Sequence, residues 1–244
     1  MTEQDFFAIA NHLQCGTFHL KGQFVYSSNY TFLVDVEDQH GLERIQAVYK
    51  PARGERPLWD FPEDTLAHRE TAAYLVSEAI GWHFVPPTVF REDGPLGAGS
   101  LQLFIPHDPE HHYFNFSKDE RSLLRQVVFF DMLVNNADRK AGHLLIDEQK
   151  QLWLIDHGIC FHVEDKLRTV IWDYAGQRIP ASLRRDVENL FVRLQEDDAV
   201  RYQLIEHLSE EELGALVFRA GRLSKLPTFS LPPNDRPAYP WPPV

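Results

Sequence analysis

The sequence predicts an α+β fold in two lobes, a β-rich one followed by a mainly helical one. Three observations predict it. Residues 17–50 read as short β-type runs separated by turn-forming residues. The segment 123–134 is apolar nearly all the way round a helix, so that helix must be buried. The stretch 183–224 carries apolar residues at helical spacing, with Val187, Leu190 and Leu194 on one stripe. The expected division is 1–105 for the first lobe, 106–226 for the second and a proline-rich tail at 227–244.

In the first lobe, FVYSSNYTFLVDV holds two β-rich runs around a tight turn at Ser27, Ser28 and Asn29. DQHG at 38–41 is a second turn, and RIQAVYK is a third strand that ends at Lys50, where Pro51 stops the ladder. Residues 51–63 read as an irregular loop. Asp64 or Thr65 caps a helix over 66–80, which Gly81 ends. Leu66, Ala73 and Ile80 mark its inner stripe, and Glu70 falls on the same side. A carboxylate turned to the core needs a cation or hydrogen-bond donors. A strand at 84–90, a glycine-rich turn at 94–99 and the β-type run SLQLFI (100–105), broken by Pro106, complete this half.

The second lobe opens with a capping box, Ser117 with Glu120, and a helix from Lys118 to Asn135. Asp131 lies inside it and is assigned a structural role, accepting backbone N–H groups of the following loop. HLLID and LWLID pair as a hairpin over EQKQ. Its antiparallel pairing brings Asp138, His143 and Asp156 to one end, beside the end of the buried helix. Ser209 caps the last helix, and the tail from Pro227 is expected to be extended or disordered.

Composition limits the partners. The 244 residues are 43% hydrophobic and 25% charged, with room for two lobes about a cleft. No apolar run is long enough to span a bilayer, and the start lacks a basic head with an apolar core. Cys15 and Cys160 form neither a metal-type pair nor a disulfide framework, so a reducing, cytoplasmic setting is expected. The net charge of −12 disfavours nucleic-acid phosphates and anionic lipid surfaces, so neither a nucleic-acid partner nor stable membrane association is expected. Histidines 107, 111 and 112 lack the helical spacing of a zinc hydrolase and read as surface residues. Arg53 and Arg56 read as loop arginines.

Two carboxylates and an imidazole at a sheet edge suit a divalent cation and a general base. Lys50 at a strand end and inward-facing Glu70 add a cation–carboxylate pair, and together these are the parts used in phosphoryl transfer. AVYKP, HRETAAYLVSEAIGWHFVPPT, SLQLFI, FFDMLVNNADR and LWLIDHG, in this order over residues 20–175, resemble the phosphoinositide 3/4-kinase-like branch of the protein-kinase-like fold. The small bacterial members and the type II phosphatidylinositol 4-kinases are the nearest match, and the persistence-toxin kinases a more distant one.

The resemblance implies ATP bound between the lobes with Mg2+ or Mn2+. It implies Lys50 on the phosphates and Glu70 as its partner, with adenine held by the backbone at Leu103, Phe104 and Ile105. Asp138 is implied as the catalytic base, Asp156 as the metal aspartate and the turn around Ser28 as the phosphate cover. Two positions depart from the family pattern. Lys140 and His143 stand where the family has histidine and asparagine, and the hairpin SSNY lacks glycines. A neutral imidazole at 143 reads either as a metal ligand, which would favour softer ions than magnesium, or as a histidine packed in the loop. Phosphate transfer to a hydroxyl of a protein or small molecule is therefore the favoured activity. A nucleotide-binding pseudokinase or interaction scaffold is the alternative, and AMP transfer on the same site is a third reading.

Overall fold

The structure is a computed structural model that describes residues 2–25, 29–196 and 198–244. The expected turn at Ser27 and Ser28 therefore lies outside the described residues, and with it the phosphate-covering role of Ser28.

Residues 17–51 form three antiparallel strands, β1 (Thr17–Gln23), β2 (Phe32–Glu37) and β3 (Arg44–Pro51), with β1 ending before Phe24 and Val25, which were expected to belong to a strand. Pro51 does not stop the ladder before it. It is the last residue of β3, paired with Gly99, where no further N–H is needed, and Lys50 pairs with Ser100 inside the strand. The expected strand at 84–90 begins only at Thr88, because Pro86 and Pro87 have no N–H to give a ladder. It forms β4 (Thr88–Arg91), and SLQLFI contributes β5 (Gly99–Leu103). The sheet order is β1-β2-β3-β5-β4. A Cβ at Gly99 would collide with the carbonyl of Lys50, so glycine lets these strands close at the end that carries the lysine.

A helix not read from the sequence, α1 (Glu3–Cys15), precedes the sheet. Thr2 and Asp5 close its first turn as a capping box. Its apolar residues Phe6, Ile9, Ala10 and Leu13 follow helical spacing. Leu13 packs with Phe18, Val34, Val36, Ala47, Tyr49, Val89 and Leu101 as the core of the sheet half. Arg91 donates to the carbonyls of Leu13 (2.8 Å) and Gly16 (2.9 Å), which ties the end of α1 to β4.

The next helix, α2 (Leu66–Ala79), lies where the sequence placed it, but neither expected residue caps it. Thr65 makes no side-chain cap bond, and Asp64 is in the left-handed region at φ 59°. Glu55, ten residues before Thr65, accepts the N–H groups of Leu66 (3.2 Å) and Ala67 (2.9 Å) instead. Gly81 ends the helix at φ 75° with its N–H on Glu78, as its residue type requires.

The single helix expected over 118–135 is two helices, α3 (Lys118–Arg121) and α4 (Leu124–Val134). The break has a local cause. Ser122 Oγ donates to the Asp119 carbonyl at 2.6 Å, and Leu123 N–H takes the i−3 carbonyl of Glu120. The Ser117–Glu120 capping box is present. Buried α4 ends at Asn135, whose φ of 55° turns the chain. The hairpin pairs β6 (Leu144–Ile146) with β7 (Leu152–Leu154), Leu144 opposite Leu154.

Three helices follow, α5 (Ala181–Gln195), α6 (Ala199–Ile205) and α7 (Glu210–Leu223), the last capped by Ser209 as expected. Their apolar faces join α4, the hairpin and α2 in one large core. The tail after Pro227 is extended and docked on this half, with Phe229 buried. None of the described helices is long and apolar enough to cross a membrane.

Candidate active site

Lys50 on β3 faces Glu70 on α2, and their ammonium and carboxylate form an ion pair. Glu70 is 3% exposed, so its carboxylate is stabilised by partners rather than by water. Its second oxygen accepts the backbone N–H of His157 at 2.9 Å, immediately after Asp156. Lys50 also reaches Asp156 Oδ1 at 3.1 Å, and His143 Nε2 lies 3.2 Å from Asp156 Oδ2. Four of the expected residues therefore form one chain: Glu70, Lys50, Asp156, His143.

The electrostatics follow from this geometry. The Lys50 ammonium beside Asp156 holds that carboxyl far below the usual carboxylate range. Burial alone would lower the Lys50 value, but Asp156 and Glu70 outweigh it and raise it. Burial pushes His143 down to about 4 despite the charge on Asp156, so the imidazole is neutral near pH 7. Asp156 itself has φ 61°, a left-handed backbone that few residues with a side chain adopt. Its carboxylate is half exposed, which leaves it open to a ligand.

Asp138 lies on the loop after α4 and joins none of those bonds. Its backbone N–H is held by Asn136 Oδ1 at 2.9 Å, and its carboxylate is 3.4 Å from Lys140 Nζ. Burial raises its carboxyl to about 6; Lys140 and Arg168 oppose the rise and Asp156 adds to it.

The loop is rigidified by Arg139, which is fully buried. Its guanidinium takes both oxygens of Asp131 at 2.9–3.1 Å, the carbonyl of Ile155 at 2.9 Å and His157 Nε2 at 2.8 Å. Asp131 is thus structural as expected, but the partner of its carboxylate differs. It binds Arg139 and the Asn136 amide side chain rather than the backbone N–H groups of the loop. Since Arg139 donates to Nε2, the His157 ring is neutral with its proton on Nδ1, and burial holds its value far down. Arg139 and His157 join the loop that carries Asp138 to the turn after β7. Sequence reasoning quoted them only within the Asp-Arg and Asp-His-Gly motifs. The opposite charges of Asp131 and Arg139 in an apolar setting were the available signal.

The segment between the lobes is partly committed already. Leu103 N–H donates to Pro87 and Phe104 N–H to Gln46. Among the described residues no backbone acceptor takes Ile105 N–H, and Ile105 carbonyl contacts His107 Nδ1 at 2.8 Å. His111 pairs with Glu120, outside this site. Among the described residues no group of three or more His, Cys, Asp and Glu side chains is arranged to hold a metal ion.

The similarity of the chain to known proteins agrees in kind with this geometry. The family model described as Phosphatidylinositol 3- and 4-kinase matches residues 64–214. Protein Rv2133c of Mycobacterium tuberculosis (strain ATCC 25618 / H37Rv) is 39% identical over 262 aligned positions, covering 93% of this chain and 92% of that one. Phosphatidylinositol 4-kinase gamma 5 of Arabidopsis thaliana is 31% identical over 123 residues, 38% of this chain but only 19% of the plant protein. Among solved structures, hydra Fam20 with sugar superposes with a TM-score of 0.58 at 14% identity, over 91% of this chain and 88% of that one. The Helicobacter pylori proinflammatory kinase CtkA gives 0.54 at 11% identity, over 86% and 92%. At these identities the two structures speak to the fold, which is kinase-like.

Proposed function

The chain belongs to the phosphatidylinositol 3- and 4-kinase family and is a kinase, and on that premise we propose that it transfers the γ-phosphoryl group of ATP to a hydroxyl of a protein or small molecule. The observation that carries this reading is the ion-paired chain Glu70–Lys50–Asp156 with Asp138 on the neighbouring loop. Lys50, held by Glu70, would neutralise the phosphates. Asp138 would take the acceptor proton as the hydroxyl oxygen bonds to phosphorus and the bridging oxygen leaves with ADP. A carboxyl near 6 suits that task, being ionised at neutral pH yet basic enough to accept a proton. Ile105 N–H is the donor left for adenine.

The donors present fit a divalent cation. Asp156 offers a half-exposed carboxylate, and neutral His143 beside it would be the second ligand, with phosphate oxygens and water completing the shell. Such a cation, Mg2+ or Mn2+, supplies charge neutralisation of the phosphates. The imidazole favours manganese over magnesium. The acidic chain argues against an acceptor embedded in anionic lipid.

The test is thermal unfolding with ATP, GTP or no nucleotide, each with magnesium, manganese or EDTA, alongside Asp156→Asn. Ligand at about a hundred times its dissociation constant stabilises the native state by about 2.7 kcal/mol. A metal-dependent ATP shift that the variant lacks is expected, and no shift with any nucleotide would sink the proposal. The substitution of asparagine by His143 favours one second reading, a pseudokinase. A shift without turnover under either metal would support it, and the mass of the acceptor adduct separates phosphate transfer from AMP transfer.

A further inference from the structure

The catalytic loop does not stand alone. Arg139 N–H donates to the Arg168 carbonyl, and Val170 N–H returns a bond to the Arg139 carbonyl. Arg168 N–H reaches Asn136, and Arg168 Nε donates to the Ala137 carbonyl at 2.7 Å. Residues 168–170 therefore run beside 136–139 like a paired strand. The tail forms a further layer on both. Ala238 carbonyl accepts Thr169 N–H (3.1 Å) and the Trp172 indole N–H (3.2 Å), and Arg236 pairs with Asp165 at 2.8 Å. Pro243 carbonyl accepts Ala141 N–H at 2.9 Å, three residues past Asp138.

We propose that residues 236–243 are a positioning strap for this kinase, fixing the loop that carries Asp138 by accepting the Ala141 amide proton on that loop and the Thr169 amide proton on the segment beside it. The inference rests on the proposed role of Asp138. Proline chemistry suits the task. Pro237, Pro240, Pro242 and Pro243 present carbonyls but no N–H, so the strap accepts inward and leaves few donors for a further strand. Fixed proline φ angles also lower the entropy lost on docking. Among the described residues, Lys50, Glu70 and Asp156 bond to one another, to His143 and to His157 but not to the strap, so its effect falls first on the loop that carries Asp138.

The experiment keeps the chain full length and replaces residues 238–243 with alternating glycine and serine. Amide hydrogen exchange is followed over 136–143, together with turnover of ATP. Exchange at 139–143 should accelerate by about tenfold or more while the β6–β7 hairpin is unchanged. Turnover should fall by about tenfold or more in kcat with KM for ATP within about twofold, since misplacement of one catalytic group affects the chemical step. Pro243→Ala, which keeps the accepting carbonyl, should behave as the parent in both readouts. Unchanged exchange at 139–143 overturns the strap, whatever the turnover. Absence of any nucleotide effect in the parent chain overturns the kinase reading instead, and leaves exchange to decide the strap.

Discussion

At the scale of single residues, the candidate site divides its carboxylates by environment. Asp156 is held ionised by Lys50, whereas burial works against ionisation of Asp138. The raised Asp138 value has two consequences with opposite signs. In the proposed role of Asp138, activity needs the ionised base, so kcat should rise as pH passes about 6 and level off above it. Stability runs the other way. Between the ordinary carboxylate value of 3.8 and about 6 the folded state binds the extra proton, so the charge costs stability at neutral pH. Asp138→Asn should therefore lose about 100-fold or more in kcat yet gain up to about 3 kcal/mol in unfolding free energy. Kinetics and urea titration at pH 7 check the pair; equal losses in both would mean the carboxylate is structural.

At the scale of elements, α2 shows how a helix is placed by residues outside it. Glu55 caps its start, and Arg69, 1% exposed, ties its first turn to Glu212 on α7 and to the Cys160 carbonyl at 2.7 Å. Glu70, next in sequence, thus presents its carboxylate to Lys50 from a helix anchored on the helical half. Glu55→Ala should lower stability by about 1 kcal/mol in urea, as loss of an N-cap does, whereas Thr65→Ala should change it far less. This helix also shows what the residues alone revealed. The seven-residue spacing of Leu66, Ala73 and Ile80 located both the helix and the inward face of Glu70. The cap was not legible, because its acceptor lies ten residues upstream of Thr65 in an irregular loop and capping rules look only at neighbours. The break at Ser122 was hidden for a similar reason: nothing in the pattern says a serine hydroxyl will take its own chain's carbonyl. Helix α1 was legible from Phe6, Ile9, Ala10 and Leu13 but went unread.

At the scale of the whole molecule, the two halves meet through α2. Its residues Ala72, Ala73, Tyr74 and Val76 belong to the large core of the helical half, while the sheet keeps a small core of its own. A second junction pairs His68 on α2 with His207 after α6, Nδ1 to Nδ1 at 3.0 Å, with His68 stacked on Phe90. Burial lowers both, His207 to about 4. A histidine depressed in the folded state contributes stability above its unfolded value near 6.5, and loses it as pH falls toward 4. The parent chain should therefore lose up to about 3 kcal/mol over that window beyond what His207→Gln loses, as read by denaturant midpoints at several pH values. The order of the motifs along the chain made the site residues legible far better than the contacts between halves. Lys50, Glu70 and Asp156 meet as the motif order required. The joints, Arg69 to Glu212 and His68 to His207, link residues more than a hundred positions apart, which no local pattern records.

The left-handed turn at Asp156 restricts what could replace it. Aspartate and asparagine enter that conformation more readily than other side-chain-bearing residues, because their short polar groups bond to nearby backbone. Glutamate would keep the charge but not the ease of the bend. The position therefore selects for side-chain length through the backbone as well as through the Lys50 ammonium it faces. A neutral stand-in must be asparagine, because alanine would alter the path of the chain along with its charge.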